Sequence, residues 1–185
     1  MGNGIVNELK KEFEIQDEWV GFEIHPETPP EGLPLANLFP EEAIKGMHER
    51  LKEMGQQYGL EFNPQVHLSN SHMALEAGEY AKEKGMFHAF HTAVFRAYFT
   101  DGIAIGDLEE LLNLAEGVGM DREDLRKALA EKRYAQNLRD TQKEARRYGI
   151  NSAPTFIINN RYKIVGAQPL EEFRKALEQI SQEMD

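Results

Sequence analysis

Apolar and polar positions follow a helical period along most of this chain and a two-residue period near its ends. Ile5, Val6, Leu9 and Phe13 fall on one face of a helix predicted over residues 4–13, with Asn7, Lys10 and Lys11 largely opposite. Asn3 stands where an N-cap is expected. Residues 19–24, Trp-Val-Gly-Phe-Glu-Ile, are rich in aromatic and β-branched side chains and are soon followed by Pro26, which predicts a short strand. Residues 26–40 hold five prolines (26, 29, 30, 34 and 40) and read as an extended loop, since proline lacks a backbone N–H and restricts its predecessor. From residue 41 to 148 the helical period dominates, with breaks at 55–64, near Gly85, at 100–106 and at 117–121. Asp107 stands before Leu108, Leu111, Leu112 and Ala115, and Asp121 before Leu125, Ala128 and Leu129, so each aspartate is predicted to cap a short amphipathic helix. Thr155 to Ile158 and Tyr162 to Val165 then read as two strands, with Asn159-Asn160-Arg161 as a hairpin turn. A last helix over residues 170–180 is predicted to bury Phe173, Leu177 and Ile180.

Length and composition narrow the classes open to such a chain. Its 185 residues, 41% of them hydrophobic, suffice for one domain with a sizeable core, or for a domain carrying a large insertion. Lys plus Arg number 21 against 32 Asp plus Glu, a formal net charge of -11, which repels phosphate backbones and anionic lipid. Nucleic acid and membrane are therefore not expected partners. No apolar run approaches the roughly 20 residues that span a bilayer, and the N-terminus lacks the basic and apolar regions of a signal peptide. The expected compartment is cytoplasmic. There is no cysteine, which removes disulfides, thiolate nucleophiles, Cys-ligated zinc and iron–sulfur clusters from this chain, and no cofactor is expected.

One stretch carries more information than the rest: Gly149-Ile150-Asn151-Ser152-Ala153-Pro154-Thr155-Phe156-Ile157-Ile158-Asn159, followed by Gly166-Ala167-Gln168-Pro169. It resembles the cis-proline loop, the hairpin and the lead-in to the last helix of the FrnE-type branch of the DsbA-like thioredoxin-fold oxidoreductases. Phe22-Glu23-Ile24-His25-Pro26, with Pro30-Glu31-Gly32-Leu33-Pro34-Leu35, is similar to that family's second strand and the loop leaving it. Asn70-Ser71-His72-Met73-Ala74-Leu75, with Glu79-Tyr80-Ala81-Lys82, is similar to its first long inserted helix. The run Phe87-His88-Ala89-Phe90-His91-Thr92-Ala93-Val94-Phe95-Arg96-Ala97-Tyr98-Phe99 is similar to the helix after it.

The resemblance covers almost the whole chain and implies an α/β fold. In it, a thioredoxin-like (DsbA-like) sheet is built from residues 1–40 and 149–185, interrupted by a large all-helical insertion over 41–148, with the first central strand missing. It also implies a cis Ala153–Pro154 bond, and substrate binding by Ser152, Ala153 and Pro154, whose extended backbone pairs with a peptide. The family carries a central strand and then Cys-Pro-x-Cys at the start of its first helix, where the helix dipole lowers the pKa of the attacking thiol. Met1-Gly2 falls on the aliphatic-Gly pair that follows that motif. The inherited activity implied is thiol–disulfide exchange, with no catalytic residue present. Either the start is assigned at an internal methionine of a longer gene, so that the chain is N-terminally truncated, or the product lacks the motif. Both make this chain redox-inactive. The implied partner is a thiol- or disulfide-bearing protein or small molecule such as glutathione. The strand edges exposed by the missing strand imply self-association.

Two other readings stay open. The 2-hydroxychromene-2-carboxylate isomerases and kappa-class glutathione transferases share this fold and place a serine or cysteine at the same helix start. A non-catalytic module that captures extended peptides at residues 152–154 is the third. The six histidines (25, 48, 67, 72, 88 and 91) contain no HExxH motif and no i,i+4 pair, so no metal site is expected. His88 and His91 read as part of an ordinary helix face, and His25 as a packing or hydrogen-bonding residue. Phe87, Phe90, Val94, Tyr98 and Phe99 read mostly as core, with one or two available to line a groove near Pro154.

Overall fold

The computed structural model describes residues 1–183. In chain order its elements are α1 (Gly2–Leu9), β1 (Leu33–Pro34), a 3-10 turn (Leu35–Asn37), α2 (Glu41–Gln56), β2 (His67–Leu68), α3 (His72–Glu83), α4 (Phe87–Phe99), α5 (Leu108–Gly117), α6 (Arg122–Ala130), α7 (Ala135–Arg147), β3 (Thr155–Ile158), β4 (Tyr162–Val165) and α8 (Leu170–Gln182). The chain is mixed α/β, mostly helical, with small sheets.

The helical block is organised around α3, where Ala74, Ala77 and Ala81 let neighbouring helices approach and Tyr80 fills the space between them. Phe90 and Val94 of α4, Leu111, Leu112 and Ala115 of α5, and Leu125 and Ala128 of α6 join the same apolar cluster. Both predicted caps are made. An Asp107 carboxylate oxygen accepts from the N–H groups of Glu109 and Glu110 at 2.9 and 3.1 Å, and one of Asp121 accepts from Asp124 at 2.8 Å. These carboxylates satisfy donors that a helix start leaves unpaired, a contribution of about 1 kcal/mol each.

A second, smaller cluster joins the chain ends. Ile5 and Leu9 of α1 pack against Phe173 of α8, with Phe156, Ile164 and Leu177 closing the edges. Phe156 meets Phe173 edge-on at 4.8 Å between centroids, and Arg174 forks onto Glu12 at 2.6 and 2.9 Å. β3 and β4 pair antiparallel, Thr155 opposite Val165 and Ile158 opposite Tyr162. Asn159 and Asn160 hold φ angles of 51° and 54° between them, as a type I′ turn requires and asparagine tolerates better than most residues.

Several local expectations are corrected. Residues 19–24 form no strand. A strand needs a ladder partner, and this segment instead lies against α3 and α7: a Cβ at Gly21 would sit 3.2 Å from Leu75 and 3.8 Å from Leu138, and Gln142 donates to the Glu23 carbonyl at 3.1 Å. Asn3 does not cap α1. That helix begins at Gly2 with no side-chain cap, ends at Leu9, and is followed by single hydrogen-bonded turns to Phe13. Packing of Gly2 and Ile5, rather than a cap, sets its start. Within the proline-rich loop, Leu33 and Pro34 pair with Leu68 and His67, a short ladder that the spacing did not predict. Nor did it predict the break between α6 and α7. There Lys132 takes a left-handed φ of 53°, and Tyr134 hydrogen-bonds Glu83 and packs edge-on against Tyr80, so a tertiary contact sets the turn.

Candidate functional site

The loop from α7 to β3 is held at both ends. Gly149, at a φ of 61°, turns the chain out of α7, while the N–H groups of Gly149 and Ile150 close back on Arg146 and Ala145 at 3.1 and 2.8 Å. Further on, the Thr155 hydroxyl donates to the Ser152 carbonyl at 2.7 Å, and the Gly166 N–H donates to the Pro154 carbonyl at 2.8 Å. Between these ties the Ala153–Pro154 peptide bond is cis. Ala153 is exposed, and its backbone N–H and C=O bond to no described residue. Those two groups are free to pair with another chain.

The start of α1 abuts this loop. A Cβ at Gly2 would lie 3.3 Å from the Pro154 Cβ and 3.7 Å from the rings of Phe156 and Trp19, so glycine there allows helix and loop to touch. Trp19 is held by its indole N–H, which donates to Asp17, itself paired with Lys10. Burial opposes ionisation of Asp17, yet the hydrogen bonds from Lys10 and Trp19 outweigh it and keep the carboxyl below its usual range. Beyond Trp19 lies His91 of α4, 5.3 Å away between ring centroids, with Phe87 at 5.4 Å and Phe95 stacked at 4.3 Å. Burial first, then the neighbouring His88, then the terminal ammonium push the His91 imidazole down to about 4. It is therefore neutral at physiological pH.

Ser152, Ala153 and Pro154 stand together in one loop, as their adjacency requires. Trp19, Gly2 and His91 were not singled out as site residues by the sequence. Their signals were weak: a glycine in the first turn of a helix, which costs about 1 kcal/mol against alanine, and an i,i+4 spacing of rings at Phe87, His91 and Phe95. The other histidines are engaged elsewhere. His25 pairs with Glu27 at 3.1 Å, His48 accepts from the Gln65 N–H at 2.9 Å, and the His67 carbonyl accepts from the Tyr98 hydroxyl at 3.1 Å. His72 lies between Glu23 at 3.3 Å and the buried Glu76 at 3.1 Å, linking the 19–24 segment to α3. Among the described residues no group of three or more His, Asp or Glu side chains is placed to hold a metal ion. Of two shallow hollows, one of about 290 Å³ is lined by His67, Tyr98 and their neighbours, and one of about 200 Å³ by Glu144, Arg147 and Tyr148, where α7 leads into the Pro154 loop. No helix of the described residues is long and apolar enough to cross a membrane.

Known proteins are similar to this chain in sequence and in fold. The uncharacterized protein YwbO of Bacillus subtilis is 30% identical over 184 residues, covering 96% of this chain and 88% of its own length. The crystal structure of a probable DsbA oxidoreductase of Streptomyces coelicolor superposes with a TM-score of 0.89 at 26% identity, over 96% of this chain and 82% of the other. With a start of α1 that packs on a cis-proline loop, a helical block between them, and residues 2–178 matching the DSBA-like thioredoxin domain, this chain belongs to the DsbA-like family.

Proposed function

We propose that this chain binds an extended, cysteine-bearing peptide through backbone pairing at residues 152–154, and that it carries out no thiol–disulfide exchange by itself. One observation carries the reading: the start of α1 packs directly on Pro154, so the two parts between which a DsbA-like protein would hold its substrate lie side by side, in a sequence with no cysteine. Attack on a disulfide requires a thiolate, and no side chain of this sequence supplies one. Binding requires only the exposed backbone of Ala153 and the apolar surface of Pro154. Similarity to a probable DsbA oxidoreductase agrees with a thiol-bearing ligand.

Amide hydrogen exchange with a short, end-blocked peptide, a central cysteine flanked by apolar residues, tests both halves. Slowed exchange at Ser152, Ala153 and Thr155 is expected, with no reduction of insulin above the buffer rate. Turnover of insulin by the purified chain sinks the redox-inactive half. Unchanged exchange at those amides sinks the binding half. Protection by glutathione and not by the peptide moves the reading to the glutathione-dependent isomerases and transferases.

A further inference from the structure

β3 and β4 pair only with each other among the described residues, so each strand keeps an outer edge. The ladder itself decides which backbone groups lie on the edge of β3. The Gly166 N–H donates to the Pro154 carbonyl at 2.8 Å, which makes Pro154 and Gly166 a hydrogen-bonded pair, and in an antiparallel ladder such pairs recur at every second residue. Phe156 with Ile164, and Ile158 with Tyr162, are therefore the bonded pairs, and their N–H and C=O groups point into the hairpin. Thr155, opposite Val165, and Ile157, opposite Lys163, turn both backbone groups the other way. No described residue bonds to these four outward groups. In the chain they follow directly on the unpaired N–H and C=O of Ala153. One side of the edge is apolar: the Phe156 ring packs on Phe173 of α8, and a Cβ at Gly2 of α1 would lie 3.7 Å from it. An unpaired strand edge of this kind is a template for an added strand.

We propose that the bound peptide does not end its pairing at Ala153 but runs on as a third strand along the outer edge of β3, exchanging hydrogen bonds with Thr155 and Ile157. The ligand class is then an extended segment rich in β-branched or aromatic residues and free of acidic ones. The inference rests on the peptide-binding reading above and adds the length and the side-chain pattern of what is bound. Main-chain pairing gives affinity whatever the sequence, and alternate side chains give the choice. On one side of the added strand they stand beside Phe156, and on the other beside Thr155 and Ile157. Aromatic and β-branched residues gain most from such cross-strand neighbours. An acidic segment is repelled by a chain of net charge -11, and so is a second copy of the chain itself.

The probe is an end-blocked peptide of seven residues, a central cysteine with valine and threonine alternating on both sides. With it, amide exchange in the full chain should slow at Thr155 and Ile157 and stay unchanged at Phe156 and Ile158, whose N–H groups already bond to β4. Methylating the peptide nitrogens one at a time should weaken binding at every second position of the paired stretch, by about fivefold, the size of one hydrogen bond. Ile157→Pro deletes an outward N–H and no ladder bond, and proline is accepted at such edge positions. This variant should keep the far-UV ellipticity of the parent and bind the peptide at least about fivefold less tightly. Binding at the parent's strength overturns the proposal. Slowing at Ser152 and Ala153 but not at Ile157 also overturns it, needs no variant to fold, and leaves the peptide-binding reading standing. Slowing at none of these amides removes both. Protection of Ile157 that grows with protein concentration in the absence of peptide gives the edge to a second copy and overturns the proposal. Equal binding of a peptide with glutamate in place of each valine overturns the ligand class.

Discussion

The helical block and the layer formed by the two chain ends reach stability by different routes. In the block, Tyr80, Leu111, Leu112 and Leu125 are almost wholly buried in a cluster drawn from a continuous stretch of sequence. In the layer, Ile5 and Leu9 meet Phe173 from the opposite end of the chain, over a single two-stranded hairpin. Contacts of long sequence separation form only after a large loss of chain entropy, and here a small apolar cluster must compensate for it. The Pro154 loop belongs to the thinner of the two regions. Binding loops are commonly found in the less stable parts of a protein, because they must admit a ligand.

Core truncation is the strongest way to test this contrast. Leu112→Ala in the block and Phe173→Ala in the layer should each cost about 2–5 kcal/mol. They should nevertheless separate two optical probes, since Trp19 stands at the boundary, touching Gly2 of the layer and His91 of the block, while far-UV ellipticity is dominated by the helices of the block. Phe173→Ala is expected to lower the urea midpoint seen by fluorescence more than the one seen by ellipticity. Coincident transitions in both variants would break the contrast and make the two regions one cooperative unit.

A smaller effect is expected at Gly4. A Cβ there would lie 2.7 Å from both Cβ and Cγ of Tyr58, the root of that side chain, which cannot swing aside. Alanine is favoured over glycine in a helix by about 1 kcal/mol, while overpacking costs about 1–3 kcal/mol. Gly4→Ala should therefore lower Tm by a few degrees. A higher Tm would mean that the layer has room the block lacks.

A further effect sharpens the contrast at the boundary between the regions. In the folded protein the His91 imidazole titrates at about 4, against an ordinary value of 6.5, so the unfolded chain takes up the proton first as pH falls. The contribution of His91 to stability is intact above about pH 6.5 and declines as pH falls toward about 4. The stability of the parent minus that of His91→Phe should therefore decrease between about pH 7 and pH 5. A flat difference would mean that His91 is as well solvated when folded as when unfolded.

Much of this was legible in the residues, for reasons that separate the correct expectations from the others. The caps at Asp107 and Asp121 depend on a side chain and the backbone two or three residues on, and they form where the pattern put them. The hairpin turn depends on two asparagines that accept a left-handed backbone, again a local property. The predicted strand over residues 19–24 failed because strand structure belongs to a pair of segments, and no partner is beside this one. His91 read as a helix-face residue because its spacing shows which residues share a face and not what the face meets.

By itself, then, the sequence determined the helical block, its caps, the hairpin, the adjacency of Ser152, Ala153 and Pro154, and the absence of any thiol. Tertiary structure alone decided that Gly2 packs on Pro154, that Trp19 stands on α4 and not in a ladder, and that His91 is desolvated among rings. The first set follows from interactions within a few residues, which the chain carries wherever it goes. The second depends on burial and close approach between segments far apart in sequence, and those exist only once the two ends have been brought together.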